Sequence, residues 1–163
     1  MNASSKIILF IVLLTLFFAC KKREEFSDIP YLEFIKYEIK DSIDALGNIT
    51  KLCELHLFFT DGDGDIGLFE EDTIAPFDYN LFINYFEMKN NSLQQIIDTL
   101  NPPYHIRIPN LTPTGQNKSL KVDLKYDVDI TYRNSDTIKF ELKLFDRALN
   151  ESEWVSSSLI ILN

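Results

Sequence analysis

The chain has 163 residues, of which 45% are hydrophobic, and its 25 acidic side chains outnumber 16 basic ones to give a net charge of −9. A field of this sign repels phosphate backbones, so the composition argues against nucleic-acid binding and favours cations as partners. The length suffices for one hydrophobic core, and a second domain is not expected.

The first twenty residues have the pattern of an export signal. Lys6 precedes an unbroken apolar run over residues 7–14, and the apolar character continues after Thr15 as far as Ala19, directly before Cys20. A basic start, a short apolar stretch and a small residue at the end are typical of a cleaved secretory signal, and the stretch is too short to span a bilayer.

The junction at Cys20 resembles a bacterial lipobox, in which the cysteine is diacylated and becomes the new N-terminus. The resemblance implies a lipoprotein signal peptide over residues 1–19 and a lipid anchor at Cys20 in the cell envelope, on the periplasmic or surface face of the outer membrane. Residues 20–29 are largely charged after the cysteine and are predicted to form a flexible tether. Residues 30–163 then form the folded domain. Since Phe18 stands where the family has a smaller residue, plain secretory cleavage stays the alternative.

Acylation of Cys20 leaves Cys53 without a partner for a disulfide. Cys53 is in phase with Leu55 and Leu57 in an alternating run, which predicts a buried thiol and not a nucleophile. The fold is therefore expected to depend on its hydrophobic core.

Alternation of apolar and polar residues with period two dominates the chain from Tyr31 onward, and it is clearest over residues 120–130. The pattern predicts seven strands, over residues 31–40, 52–60, 80–88, 104–108, 120–130, 138–145 and 154–162. Residues 92–100 are predicted either as an eighth strand or as a short helix.

Short turns between these strands, with no helical period, favour an all-β antiparallel β-sandwich over βαβ units. Seven or eight strands in this span resemble an immunoglobulin-like domain of the bacterial extracellular type. The resemblance implies two facing sheets, whose core the 13 Phe and seven Tyr residues supply.

The strongest local motif is a D-x-D-x-D loop that directly follows the second predicted strand. Asp61, Asp63 and Asp65 alternate with glycines, and like charges so close together repel unless a cation lies between them. The loop partly resembles an EF-hand, which implies Asp72 as a closing ligand, and it is more similar to calcium loops between strands of bacterial extracellular sandwiches. The alternative is a glycine-rich turn whose aspartates accept hydrogen bonds from their own backbone.

A second acidic turn follows the strand over residues 138–145. Asp146 begins a segment that resembles the D-x-x-G-N-x-S turn before the last strand of bacterial immunoglobulin-like domains, with Leu149 in place of the glycine. In such a sandwich the two loops lie at one end, which implies that Asp146 approaches Asp61 and Asp65 as a further metal ligand.

Signatures of catalysis are lacking: the chain contains no G-x-S-x-G, no H-E-x-x-H and no phosphate-binding glycine loop ending in lysine. The leading hypothesis is a non-catalytic, calcium-stabilised binding or structural module of the envelope, with a glycan or an envelope protein as partner. One alternative is a small glycan-directed hydrolase that uses the carboxylates between Asp61 and Asp65. The other is a structural spacer without metal.

Overall fold

The structure, a computed structural model, describes residues 25–97 and 104–162. The predicted signal peptide, Cys20 and the first part of the predicted tether lie outside these residues, as does the end of the segment 92–100. Within the described ranges every regular element is a strand, and no helix there is long and apolar enough to cross a membrane.

Eight strands are present in the described residues. They are β1 (Tyr31–Ile43), β2 (Ile49–Asp61), β3 (Leu81–Lys89), β4 (Ser92–Gln95), β5 (Leu120–Asp129), β6 (Thr137–Leu144), β7 (Val155–Ser156) and β8 (Ile160–Ile161). One sheet has the order β1-β2-β5, and the other has the order β4-β3-β6-β7, with β8 also paired to β6. All these strand pairs are antiparallel, so the prediction of an all-β antiparallel sandwich is confirmed.

The core lies between the two sheets and follows from the alternation in the sequence. Every second residue is buried from Cys53 to Phe59 in β2 and throughout β6, because a strand directs successive side chains to opposite faces. Phe59 and Phe140 are the largest fully buried side chains, one from each sheet. Cys53 is fully buried in the same layer as a free thiol, and burial raises its pKa to about 12. A thiol of this kind stays protonated and packs as a small apolar group.

The prediction of a strand over residues 104–108 is wrong. This segment makes only an isolated bridge between Ile106 and Leu81, and the Ile108 carbonyl accepts from the N–H of Leu68 outside any strand. Side chains take part in the remaining hydrogen bonds. The N–H of Ile108 donates to Oδ1 of the buried Asn80 at 2.7 Å, and the N–H of Ile83 donates to Nδ1 of His105 at 3.1 Å. Side-chain acceptors thus satisfy donors that a regular ladder would have paired.

The predicted strand over residues 154–162 consists of two short strands instead. Between them the buried Ser157 turns its hydroxyl toward β6, where Oγ accepts a hydrogen bond of 2.9 Å from the N–H of Phe140. In the segment 92–100, residues 92–95 form β4, so the undecided element is a strand over that part.

Strand register brings several chain segments to one end of the sandwich. Tyr31 at the start of β1 lies opposite Thr60, and Leu120 at the start of β5 lies opposite Asp61. In the other sheet, Leu81 at the start of β3 lies opposite Leu144 at the end of β6. The loop after β2 and the turn after β6 meet there, since the N–H of Arg147 donates to the carbonyl of Asp65 at 3.3 Å.

Candidate metal site at the end of the second strand

The carboxylates of Asp61, Asp63 and Asp65 converge at this end of the sandwich. Each offers an oxygen atom, and these atoms lie within 4.8 Å of one another. Asp61 is the last residue of β2 and is fully buried, Asp65 is half-buried, and Asp63 is exposed. The group therefore runs from the core to the solvent, as an ion site with an open side would.

Two of these carboxylates have only one oxygen satisfied. Oδ2 of Asp61 accepts a hydrogen bond from the N–H of Asp65 at 2.9 Å, and Oδ2 of Asp65 accepts one from the N–H of Ala148 at 3.1 Å. Oδ1 of both residues is shielded from solvent and has no hydrogen-bond partner. The turn predicted as the alternative is therefore partly realised, and it leaves two buried carboxylate oxygens for another ligand.

The electrostatics of the loop disfavour its charged form when no cation is bound. Burial is the main cause that raises the pKa of Asp61 to about 7, and the charges of Asp63, Asp65 and Asp146 add to it against the hydrogen bond from Asp65. The pKa of Asp65 is also raised, first by burial and then by Asp146 and Asp63, while Arg147 opposes the shift. A cation among these oxygens would remove the repulsion.

The glycines of the loop allow other segments to approach its backbone closely. Gly64 has φ +71°, and a Cβ atom there would lie 1.7 Å from the carbonyl oxygen of Lys118. Gly67 has φ +105°, and its Cβ would lie 2.2 Å from the carbonyl oxygen of Pro109. Only glycine accepts both the left-handed conformation and this lack of space.

The carbonyl oxygens of these glycines already accept hydrogen bonds from other segments. Thr112 donates from Oγ1 to Gly64 at 2.7 Å, Arg147 donates from Nη1 to Gly67 at 2.7 Å, and the Ser119 hydroxyl donates to the carbonyl of Gly62 at 3.0 Å. The carboxylates are thus the principal oxygens that the loop offers to an ion.

Asp146 lies near the loop, as the sequence implied, and its charge raises the pKa values of both Asp61 and Asp65. Its own carboxylate is occupied: Oδ1 accepts from the N–H of Asn150 and Oδ2 from the Asn150 side-chain amide, both at 2.7 Å. Leu149 adopts φ +65° at the position where the related turn has glycine. Asp146 is therefore positioned to organise the turn and to add negative charge beside the three clustered carboxylates.

Asp72, the other predicted ligand, is not part of the cluster in the described structure. Its Oδ2 accepts a hydrogen bond from the N–H of Phe69 at 2.8 Å, and its N–H donates to the Phe69 carbonyl at 3.1 Å, which closes a local turn. Arg107 holds this loop from the opposite side through bonds to the carbonyls of Phe69, Phe77 and Asp72. The role of Arg107 was not predictable from the sequence, because its partners are backbone carbonyls.

A second group of possible ligands lies on the outer face of the three-stranded sheet and consists of Glu38, Glu54 and His56. Nε2 of His56 lies 2.7 Å from Oε1 of Glu54, and Lys40 and Lys125 also contact Glu54 at 2.8 Å and 3.6 Å. The hydrogen bond from Lys40 is the main cause that lowers the pKa of Glu54 to about 2. Lysines already supply the positive charge here, in contrast to the aspartate loop.

Comparisons with known proteins place no relative beside this chain. No family model, no curated protein and no solved structure matches it.

Proposed function

We propose that the protein is a lipid-anchored, non-catalytic module of the bacterial cell envelope, an immunoglobulin-like sandwich in which calcium bound by Asp61, Asp63 and Asp65 stabilises one end. The observation that carries the ion site is the pair of buried Oδ1 atoms of Asp61 and Asp65 that have no partner. Buried polar atoms are normally satisfied, so two buried oxygens without a hydrogen-bond partner beside a third carboxylate favour a cation as their ligand.

The chemistry of the oxygens favours calcium among the common cations. All the side chains that converge are carboxylates, and hard cations prefer oxygen. Calcium accepts six to eight oxygens at flexible angles and can take water on the open side at Asp63, whereas magnesium demands near-ideal octahedral geometry. Extracellular calcium sites fill at about 10⁻⁴–10⁻³ M, so an exported domain needs only modest affinity.

The immunoglobulin-like class is supported by the order of the strands. A sheet of β1, β2 and β5 faces a sheet centred on β3 and β6, and the chain crosses between the sheets after β2, after β4 and after β5. Sandwiches of this architecture use such crossing connections.

The anchor at Cys20 is proposed from the lipobox resemblance. Mass spectrometry of the mature N-terminus tests it, and an unacylated Cys20 would refute it.

Thermal unfolding with calcium and with a chelator tests the ion site. Binding to the folded state stabilises it by RT ln(1 + [L]/Kd), which is about 2.7 kcal/mol at a hundred times Kd. Calcium should raise the melting temperature of the wild type and should have little effect on Asp63→Asn, which removes an exposed ligand. Asp123→Asn is the matched control, since it removes the same charge from an exposed position on β5 and should keep the calcium response. A wild type that is indifferent to calcium would rule the site out.

The glycan-directed hydrolase is the rival function for the same carboxylates. Glycosidases hold two carboxyl groups about 5 to 9 Å apart around a cleft. Here the oxygens lie within 4.8 Å of one another and Asp61 is fully buried, which favours ion binding. Turnover of a glycan library by the wild type that disappears in Asp63→Asn would instead support the enzyme.

A further inference from the structure

The segment that leads into β1 lies directly against the aspartate loop. The N–H of Gly62 donates a hydrogen bond of 2.8 Å to the carbonyl of Ser27. A Cβ atom at Gly62 would lie 2.5 Å from the carbonyl oxygen of Phe26 and 2.6 Å from Oδ1 of Asp28. The two segments are therefore in contact over three residues, and only glycine leaves room for this contact.

We propose that the aspartate loop is also the docking site for the segment 26–28, so that cation binding and docking of this segment stabilise each other. This inference rests on the proposed calcium site. It goes further by assigning to that site a control over how the domain is joined to its tether.

The coupling follows from the position of Gly62 in the loop. It lies between Asp61 and Asp63, two of the three residues that would hold the ion. An ion that fixes both carboxylates also restricts the backbone between them, which directs the N–H of Gly62 toward Ser27. Without the ion, repulsion among the carboxylates favours a more open loop and a weaker contact.

Among the described residues, the segment 26–28 makes few other hydrogen bonds to the domain. Ser27, Asp28 and Ile29 are exposed, Phe26 is half-buried, and the first fully buried residue is Pro30. The Ser27 hydroxyl accepts from the N–H of Ile29 at 3.0 Å, which stiffens the segment internally without attaching it to the domain. Its attachment before Pro30 therefore rests on the contact with Gly62 and on the partial burial of Phe26, so changes in the loop should move it.

This arrangement matters for a domain anchored at Cys20. The chain between Cys20 and Glu25 can extend at most about 18 Å, at about 3.6 Å per residue. When the segment 26–28 is docked, the end of the sandwich that carries the loop is held toward the bilayer. When it is released, the domain gains several more residues of free tether, so calcium would set the reach and orientation of the domain.

Hydrogen exchange of the purified protein, with calcium and with a chelator, tests the coupling. The amide of Gly62 reports the bond to Ser27 directly, and we expect calcium to slow its exchange at least tenfold. The amide of Gly47, which donates to Asp44 at 3.0 Å in the distant β1–β2 turn, is the internal control and should exchange at the same rate in both conditions.

A substitution tests the same coupling in the other direction. Gly62→Ala should displace the segment 26–28 and, because coupling is reciprocal, should weaken calcium binding by the same factor by which the ion strengthens docking. Gly47→Asn is the matched control, because the turn is open there and Asn tolerates its φ of +86°. Its calcium affinity should equal that of the wild type.

The outcomes separate this inference from the proposed function. If calcium raises the melting temperature but leaves the exchange of Gly62 unchanged, the coupling is refuted and the calcium site stands. If calcium changes neither quantity, both are refuted. If Gly62→Ala folds and binds calcium as tightly as the wild type, the segment does not contribute to the site and the inference fails.

Discussion

The N–H of Asp65 donates to Oδ2 of Asp61 at 2.9 Å, while Oδ1 of the same buried carboxylate has no partner. Oδ2 of Asp61 thus closes the loop, whereas Oδ1 of the same carboxylate lacks a hydrogen-bond partner. The turn and the ion site are not exclusive alternatives, since one oxygen of Asp61 shapes the loop and the other remains for a cation.

Stability in the absence of calcium should fall as the pH rises. The pKa of Asp61 goes from its ordinary 3.8 to about 7 on folding, chiefly through burial. Between these values the unfolded chain has lost the proton and the folded chain retains it, so the free energy of unfolding decreases with pH until about pH 7. At about 1.4 kcal/mol per pKa unit the loss is at most about 4 kcal/mol.

Urea denaturation at about pH 5 and about pH 8, with chelator and with calcium, measures this effect. Calcium displaces the proton, so the calcium-bound protein should keep its stability at the higher pH. Asp61→Asn should remove most of the pH dependence seen in chelator and should also abolish the calcium response. A wild type whose stability in chelator increases over this interval would contradict the assignment of the buried acid.

Close approach at Gly64 should make its substitution costly. Ala at this position places Cβ 1.7 Å from the Lys118 carbonyl oxygen and must also adopt φ +71°. Overpacking and left-handed strain together should lower the free energy of unfolding by about 3 kcal/mol or more. Gly47→Ala, at φ +86° with no atom within 4 Å of its Cβ, separates the two contributions, because it has the strain alone. Equal losses in the two variants would show that close approach contributes nothing.

The sequence predicted the place of the aspartate loop and much of its surroundings. Alternation through Phe59 predicted a strand that ends at Thr60, one residue before β2 ends at Asp61. The resemblance of the turn at Asp146 predicted that this residue lies at the same end, and its charge does act on Asp61 and Asp65. The hydrogen bond from the N–H of Gly62 to Ser27 was not predictable, because Ser27 lies far earlier in the chain and contributes only a backbone carbonyl. Contacts to backbone atoms carry no signature in residue type.

Two predicted strands, over residues 104–108 and 154–162, differ from the structure for a common physical reason. Asn80, His105 and Ser157 each accept a hydrogen bond from a backbone N–H that a regular ladder would have used. Apolar alternation reports which side chains face the core, and it reports nothing about which partner a backbone donor takes. The loose apolar pattern over residues 104–108 and 154–162 was therefore not sufficient to predict a continuous strand, and burial does not alternate regularly along either segment.

The left-handed backbone at Leu149 offers a stabilising substitution. Its φ of +65° costs a non-glycine residue about 1 to 2 kcal/mol, and the Leu149 side chain is 46% exposed, so little burial would be lost. Leu149→Gly should raise the free energy of unfolding by about 0.5 to 1 kcal/mol after the added entropy of the unfolded chain is subtracted. Urea denaturation measures the change. Ala148→Gly, one residue earlier, should be destabilising, and a loss of stability in both variants would show that the strain at Leu149 is negligible.

The hydroxyl of Ser157 should contribute to the stability of the second sheet at its edge. Its Oγ accepts from the N–H of Phe140 at 2.9 Å at a buried position in the centre of β6. Ser157→Ala leaves that N–H without a partner, which costs about 1 to 3 kcal/mol. Thermal unfolding should show the loss, and hydrogen exchange should show the Phe140 amide becoming faster relative to its neighbours in β6. Ser158→Ala is the control, because it keeps the Ser158 carbonyl that accepts a hydrogen bond of 2.8 Å from the Ser157 hydroxyl. If Ser157→Ala and this control are equally stable, water or a shifted backbone must satisfy the Phe140 amide.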